Sequence, residues 1–111
     1  MSPDLPSEIQ HLITNYKPEK VILFGSRAKG TAHEDSDYDF LIIKETSTGR
    51  LRRRGEALRG TRRTVPLDLL ILTPSEFRIF QEAKTWLVKE ILSTGKLVYE
   101  QPESMVEISR G

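Results

Sequence analysis

Asp37 and Asp39 stand two apart at the head of the apolar run Tyr38 to Lys44, so on an extended strand both carboxylates leave the same face. A third carboxylate, Asp68, sits among Leu67, Leu69, Leu70 and Ile71, where a lone ionised side chain is costly to desolvate. If the two strands are neighbours, three carboxylates meet at one spot. At about 5 Å and an effective dielectric near 20, each like pair repels by roughly 3 kcal/mol, and divalent cations offset that repulsion directly. An all-carboxylate donor set, with no cysteine in the chain and no histidine at ligand spacing, favours Mg2+ or Mn2+. Taken singly, the same residues have plainer uses: Asp37 as a turn residue, Asp39 as an exposed one, Asp68 as a partner for an arginine.

Gly25-Ser26 supplies a second chemical element. A strand that ends in Gly-Ser before a helix offers unpaired backbone N–H groups, a hydroxyl donor and the positive end of a helix dipole, which together suit a phosphate; Lys29 adds charge. In isolation such a pair is an ordinary tight turn. Two related motifs fail. GSRAKGT lacks the Lys that a Walker A loop needs directly after its second glycine, since position 31 is Thr. Asp35-Ser36-Asp37-Tyr38-Asp39 opens like an EF-hand, but Phe40 stands where the loop requires Gly and Thr46 where it requires Glu.

The elements that must position these groups follow from periodicity. Leu5, Ile9, Leu12, Ile13 and Tyr16 fall at helical spacing, predicting a helix from Ser7 to Asn15 with Ser7 as its cap. Lys20 to Phe24 reads as a buried strand, followed by the Gly25-Ser26 turn and a short helical piece from Arg27 toward Gly30. Tyr38 to Lys44 is a second strand, with Phe40 and Ile42 on one face and Asp39, Leu41 and Ile43 on the other. Leu51 to Leu58 is an arginine-rich helix, and Val65 to Leu72 a third strand. Thr73-Pro74-Ser75-Glu76 carries a capping box and opens a helix with Phe77, Phe80 and Ala83 inward. A further helix spans Trp86 to Ser93, closed by Gly95, and Lys96 to Tyr99 is a short edge strand. This order predicts an α/β (α+β) fold, a small sheet covered by helices.

The chain has 111 residues, enough for one domain with a core over residues 5–100 and a loose polar tail over 101–111. The absence of cysteine excludes a disulfide framework, a thiolate metal site and a cysteine nucleophile. No apolar run is long enough to span a bilayer, and the N-terminal residues do not read as a signal peptide, so a cytoplasmic location is expected. The net charge of +1 gives no argument for nucleic acid, but it hides an asymmetry. Arg50, Arg52, Arg53, Arg54, Arg59, Arg62 and Arg63 face only one Glu over the same stretch, and three readings compete for them. They form a solvated mobile face, a docking surface for an acidic protein, or a contact with nucleic acid or triphosphate. No aromatic residue is interleaved, so a stacking platform for single strands is absent and direct nucleic-acid binding is not expected. His11 reads as a surface residue and His33 as a loop residue able to approach a bound nucleotide. Trp86, Phe77, Phe80 and Leu87 read as core or oligomer contacts ahead of a base-binding pocket, and Tyr38 as a packing residue.

Taken together, GSRAKGTAHEDSDYDFLI, with Gly-Ser followed after ten residues by Asp-x-Asp, and VPLDLLIL as the strand of the third carboxylate, resemble the nucleotidyltransferase superfamily that includes DNA polymerase β. The resemblance covers roughly residues 5–100. Length and the ending LVKEILSTGKLVYE are similar to its smallest branch, the minimal nucleotidyltransferases, which are encoded beside a HEPN-domain ribonuclease as toxin–antitoxin pairs. The resemblance implies a polymerase β-like fold with a small mixed sheet. It further implies transfer of AMP from ATP, with Gly25 and Ser26 on the β- and γ-phosphates and Lys29 beside them. Asp37 and Asp39 would bridge two Mg2+, and Asp68 would complete the metal site and take the acceptor's proton. The implied acceptor is a tyrosine hydroxyl of the HEPN toxin. Two alternatives stay open: an antitoxin that inhibits by contact alone, and a transferase subunit acting on a small molecule.

Overall fold

A computed structural model of the chain describes residues 5–32, 36–62 and 64–102. The elements run α1 (Ser7–Asn15), β1 (Lys20–Phe24), α2 (Ser26–Lys29), β2 (Tyr38–Ile43), α3 (Arg50–Ala57), β3 (Leu67–Leu72), α4 (Pro74–Glu82), α5 (Trp86–Thr94) and β4 (Lys96–Glu100). The four strands form one mixed sheet in the order β3-β2-β1-β4. β1 is antiparallel to both β2 and β4, whereas β2 and β3 are parallel. The expected α/β class and the small helix-flanked sheet are what the chain adopts. Among the described residues, no helix is long and apolar enough to cross a membrane.

Strand alternation divides the core into two layers. Val21, Leu23, Phe40, Ile42, Leu67 and Ile71 face α1 and α3, packing on Ile9, Leu12, Tyr16 and Ala57. Phe24, Leu41, Ile43 and Leu72 face the other way, onto Leu87 and Ile91 of α5, with Phe77 and Phe80 of α4 at the margin. The period-two pattern read from Tyr38 to Lys44 therefore assigns each residue to its correct face.

Several local expectations shift by a residue or two. Pro6, not Ser7, is the N-cap of α1, and no side chain caps it. β3 begins at Leu67 rather than Val65, because Pro66 has no N–H to give to a ladder. Ala83 is exposed as the C-cap of α4 and adds nothing to the core. The capping box at Thr73 is formed as expected: Glu76 N–H donates to Thr73 Oγ1 at 3.1 Å, and Thr73 N–H donates to Glu76 Oε1 at 2.9 Å.

The arginine segment does not form one uniform face. Arg53 is buried, donating to the Thr48 and Ile71 carbonyls and, with both terminal nitrogens, to the Glu76 carboxylate at 2.7 and 3.2 Å. Arg54 donates to the Leu67 carbonyl at 3.1 Å. These two arginines tie α3 to β3 and to the start of α4, whereas Arg50, Arg52, Arg59 and Arg62 are exposed. Arg63 lies outside the described residues, as do residues 103–111 of the tail expected to be loose.

Candidate functional site

Three strand ends meet at one edge of the sheet: the C-terminal end of β1 and the N-terminal ends of β2 and β3. The register sets Phe24 opposite Asp39 across β1 and β2, and Asp39 opposite Asp68 across β2 and β3. Register partners on adjacent strands are about 4.8 Å apart and point to the same face. Asp39 shares parity with Leu41 and Ile43, and Asp68 with Leu70 and Leu72, so both carboxylates stand on the α5 side.

Gly25 follows directly on Phe24 with φ 79° and ψ −157°, a conformation essentially confined to glycine. Space excludes a side chain as firmly, since a Cβ on Gly25 would run into Asp39 Oδ2. Its N–H donates to Thr94 Oγ1 at 3.2 Å, and that hydroxyl donates to the Glu90 carbonyl at 2.9 Å. The last turn of α5 therefore props the glycine turn. α2 is a single turn, so any anion affinity here rests on its first backbone N–H groups and the half-buried Ser26 rather than on a helix dipole.

A cavity of about 360 Å³ opens over these groups, lined by Gly25, Asp39 and Asp68 on the sheet and by Trp86, Leu87 and Glu90 on α5, with Leu69 and Leu70 beyond Asp68. Burial raises the Asp39 carboxyl above its ordinary 3.8, and the charges of Asp68, Asp37 and Glu90 push it further. The cost of desolvation therefore falls on Asp39 and not, as the sequence predicts, on Asp68, which is the second residue of its strand and is exposed.

Of the expected site residues, the fold brings Gly25, Asp39 and Asp68 into one cavity. Asp37 stands one residue before β2 and is exposed, close enough to act on the Asp39 charge. The segment that carries it is held by Arg27, whose guanidinium donates to the Ser36 carbonyl at 2.9 and 3.2 Å and lies 4.3 Å from the Tyr38 ring centroid. Tyr38 in turn stacks on Phe40, as its packing role predicted. Lys29 pairs with Glu90 at 3.9 Å across the turn. His33 lies outside the described residues. His11 is half-buried on the opposite side of the sheet, beside Asn15 and Tyr16.

The donor chemistry fits a divalent cation. The carboxylates are hard oxygen ligands, and Asp39 is held among the like charges of Asp68, Asp37 and Glu90. Among the described residues, however, no three such side chains are drawn together as a ready ligand set. Glu90 and Thr94 carry no signal of their own in the sequence, and Trp86 reads there as a core or oligomer contact; the three fall four apart on one face of α5 and line or brace the site. That spacing was the available signal. Trp86 is not a core residue, being 71% exposed.

A family model described as polymerase beta, nucleotidyltransferase, matches residues 7–104. Among curated proteins, none matches the sequence. Among solved structures, a toxin–antitoxin complex with AMP-PNP aligns with TM-score 0.55 and 21% identity, over 88% of this chain and 75% of that one. A Sulfolobus solfataricus protein described as a nucleotidyltransferase aligns with TM-score 0.57 and 18% identity, over 86% and 76%. A variant of the toxin–antitoxin MntA-HpeT with two Asp-to-Glu changes aligns with TM-score 0.53 and 19% identity, over 88% and 75%. At these identities the likeness is one of fold.

Proposed function

The chain belongs to the polymerase beta nucleotidyltransferase family, and from that we propose that it transfers the AMP of ATP to a hydroxyl of a partner protein, as the antitoxin of a HEPN-domain ribonuclease toxin whose tyrosine is the acceptor. The observation that carries this reading is the register pairing of Asp39 with Asp68 beside a glycine turn that no side chain can enter. Toxin–antitoxin structures among the fold neighbours, one with AMP-PNP, support the partner and the nucleotide.

In this reading Gly25 and Ser26 receive the β- and γ-phosphates through backbone N–H groups and the Ser26 hydroxyl, with Lys29 released from Glu90 to add charge. Asp37, Asp39 and Asp68 would hold two Mg2+, which when bound neutralise the carboxylates and polarise the phosphoryl oxygens. The acceptor oxygen forms a bond to the α-phosphorus as the bond to the β-phosphate bridge breaks, and pyrophosphate leaves. Asp68, exposed at the cavity, takes the hydroxyl proton. The chain's contribution is positioning and preset charge, the terms that dominate phosphoryl transfer.

The test is intact-mass spectrometry of the co-expressed neighbouring protein, incubated with this chain, ATP and Mg2+. Mass gains in steps of one AMP, abolished in the Asp37→Ala, Asp39→Ala double variant, are expected. Co-purification with no mass gain would overturn catalysis in favour of inhibition by contact, and modification of a small molecule without any partner would overturn the protein acceptor.

A further inference from the structure

Trp86 is the only tryptophan of the chain, and its indole stands largely in solvent at the first position of α5. A large exposed aromatic on the wall of a cavity is a better sign of binding than a scattered surface residue. The cavity has two chemically different ends. Thr94, at the last turn of α5, bonds the Gly25 N–H and so marks the end at the glycine turn. Trp86 lies eight residues earlier on the same helix, about 12 Å away along its axis. Glu90, Asp39 and Asp68 occupy the polar stretch, and Leu69 and Leu70 form an apolar wall at the β3 side.

A nucleoside triphosphate has the same division, a charged tail and a planar base with apolar faces, separated by a comparable distance. Resting on the nucleotidyltransferase reading, we propose that Trp86 is the platform on which the nucleobase stacks, so that the nucleotide is held by its ring as well as by its phosphates. Every base offers a π-face, so recognition of this kind is tolerant of base identity and scales with ring size. ATP and GTP bind alike, and pyrimidine triphosphates bind more weakly.

Because Trp86 is the sole indole, its fluorescence reports contact directly. Titration with Mg-ATP in the full chain is expected to quench it, and inorganic triphosphate with Mg2+ is expected to leave it unchanged. By calorimetry, Trp86→Ala should weaken ATP binding about tenfold, the scale of one base–aromatic stack, while Trp86→Phe retains most of the affinity. Inorganic triphosphate should bind all three proteins equally. Unchanged ATP affinity in Trp86→Ala overturns the proposal. If transfer to the protein acceptor falls in that variant while ATP affinity stands, the indole belongs to the acceptor side. Equal loss of ATP and triphosphate affinity overturns it as well, since the ring would then only support the fold. A wild-type chain that binds neither ATP nor triphosphate would overturn the nucleotidyltransferase reading itself, whereas a failure confined to Trp86→Ala leaves that reading intact.

Discussion

Two clusters of buried or half-buried charge stand at opposite ends of β3 and are built on opposite plans. At one, Arg53 lies between the Thr48 and Ile71 carbonyls and the Glu76 carboxylate, and Glu76 also accepts the Thr73 N–H. At the other, Asp39 is desolvated among Asp68, Asp37 and Glu90. The bonds from Arg53 and Thr73 hold the Glu76 carboxyl down to about 2, whereas burial and like charge raise that of Asp39. A fold that satisfies one carboxylate with three hydrogen bonds and crowds another with three groups of its own sign is finished at the first place and open at the second. Stored repulsion of that kind favours whatever cation binds there.

The largest expected effect comes from breaking the finished cluster. Arg53→Ala leaves Glu76 without its cationic partner and the Ile71 carbonyl without its donor, and should cost about 3–5 kcal/mol in urea unfolding. The open cluster should answer in the opposite direction. Asp39→Asn removes a charge the fold resists, so stability at neutral pH without Mg2+ should rise while nucleotide transfer falls by about a hundredfold or more. A loss of stability in Asp39→Asn would mean that the Asp39 charge is compensated after all.

Mg2+ sharpens the same contrast. At a hundred times its dissociation constant it should stabilise the wild-type chain by about 2.7 kcal/mol and shift the thermal midpoint upward, with little shift in Asp39→Asn. Equal shifts in both proteins would sink the assignment of Asp39 as a ligand.

Acidity separates the clusters by sign. Glu76, with its folded pKa lowered from 4.5 to about 2, contributes stability that is complete above the unfolded value and lost as pH falls toward the folded one. That contribution is at most about 3 kcal/mol, and Arg53→Ala should remove the larger part of it from the pH profile, the Thr73 N–H keeping the rest. Asp39 works the other way. Its folded pKa lies above the unfolded one, so its protonated form favours the fold and stability is lost as pH rises through the raised value. The Asp39→Asn profile should lack that decline.

How much of this could be read from residues alone depends on sequence distance. The alternation from Tyr38 to Lys44 and the capping box at Thr73 are local signals, and the fold keeps both. The Asp-x-Asp and Gly-Ser elements are each local patterns that stand out in the sequence, although Gly25 meets Asp39, and Asp39 meets Asp68, only through the strand register. The apolar run from Val65 to Leu72 sets Asp68 in mid-strand, whereas Pro66 within it delays the strand and leaves Asp68 near its mouth. Arg53 was indistinguishable from the arginines beside it, because its partner Glu76 is 23 residues away. The α5 stripe of Trp86, Glu90 and Thr94 was hidden for a related reason. It faces the site only once α5 packs back across β1, and nothing within the helix says which stripe will do so.

The smallest effect tests the link from that helix to the turn. Thr94→Val keeps the shape of the side chain but removes the acceptor of the Gly25 N–H. A single lost bond at a half-buried site should cost about 1 kcal/mol of stability. The cost to transfer should be larger than that to folding, because the same N–H orients the turn against Asp39, and a turn free to shift binds phosphate less well. Thr94→Ser, which restores the hydroxyl, should recover most of both. If Thr94→Val lowered stability and left both transfer and the affinity for ATP untouched, the bond from Gly25 to Thr94 would support the fold alone and not the site.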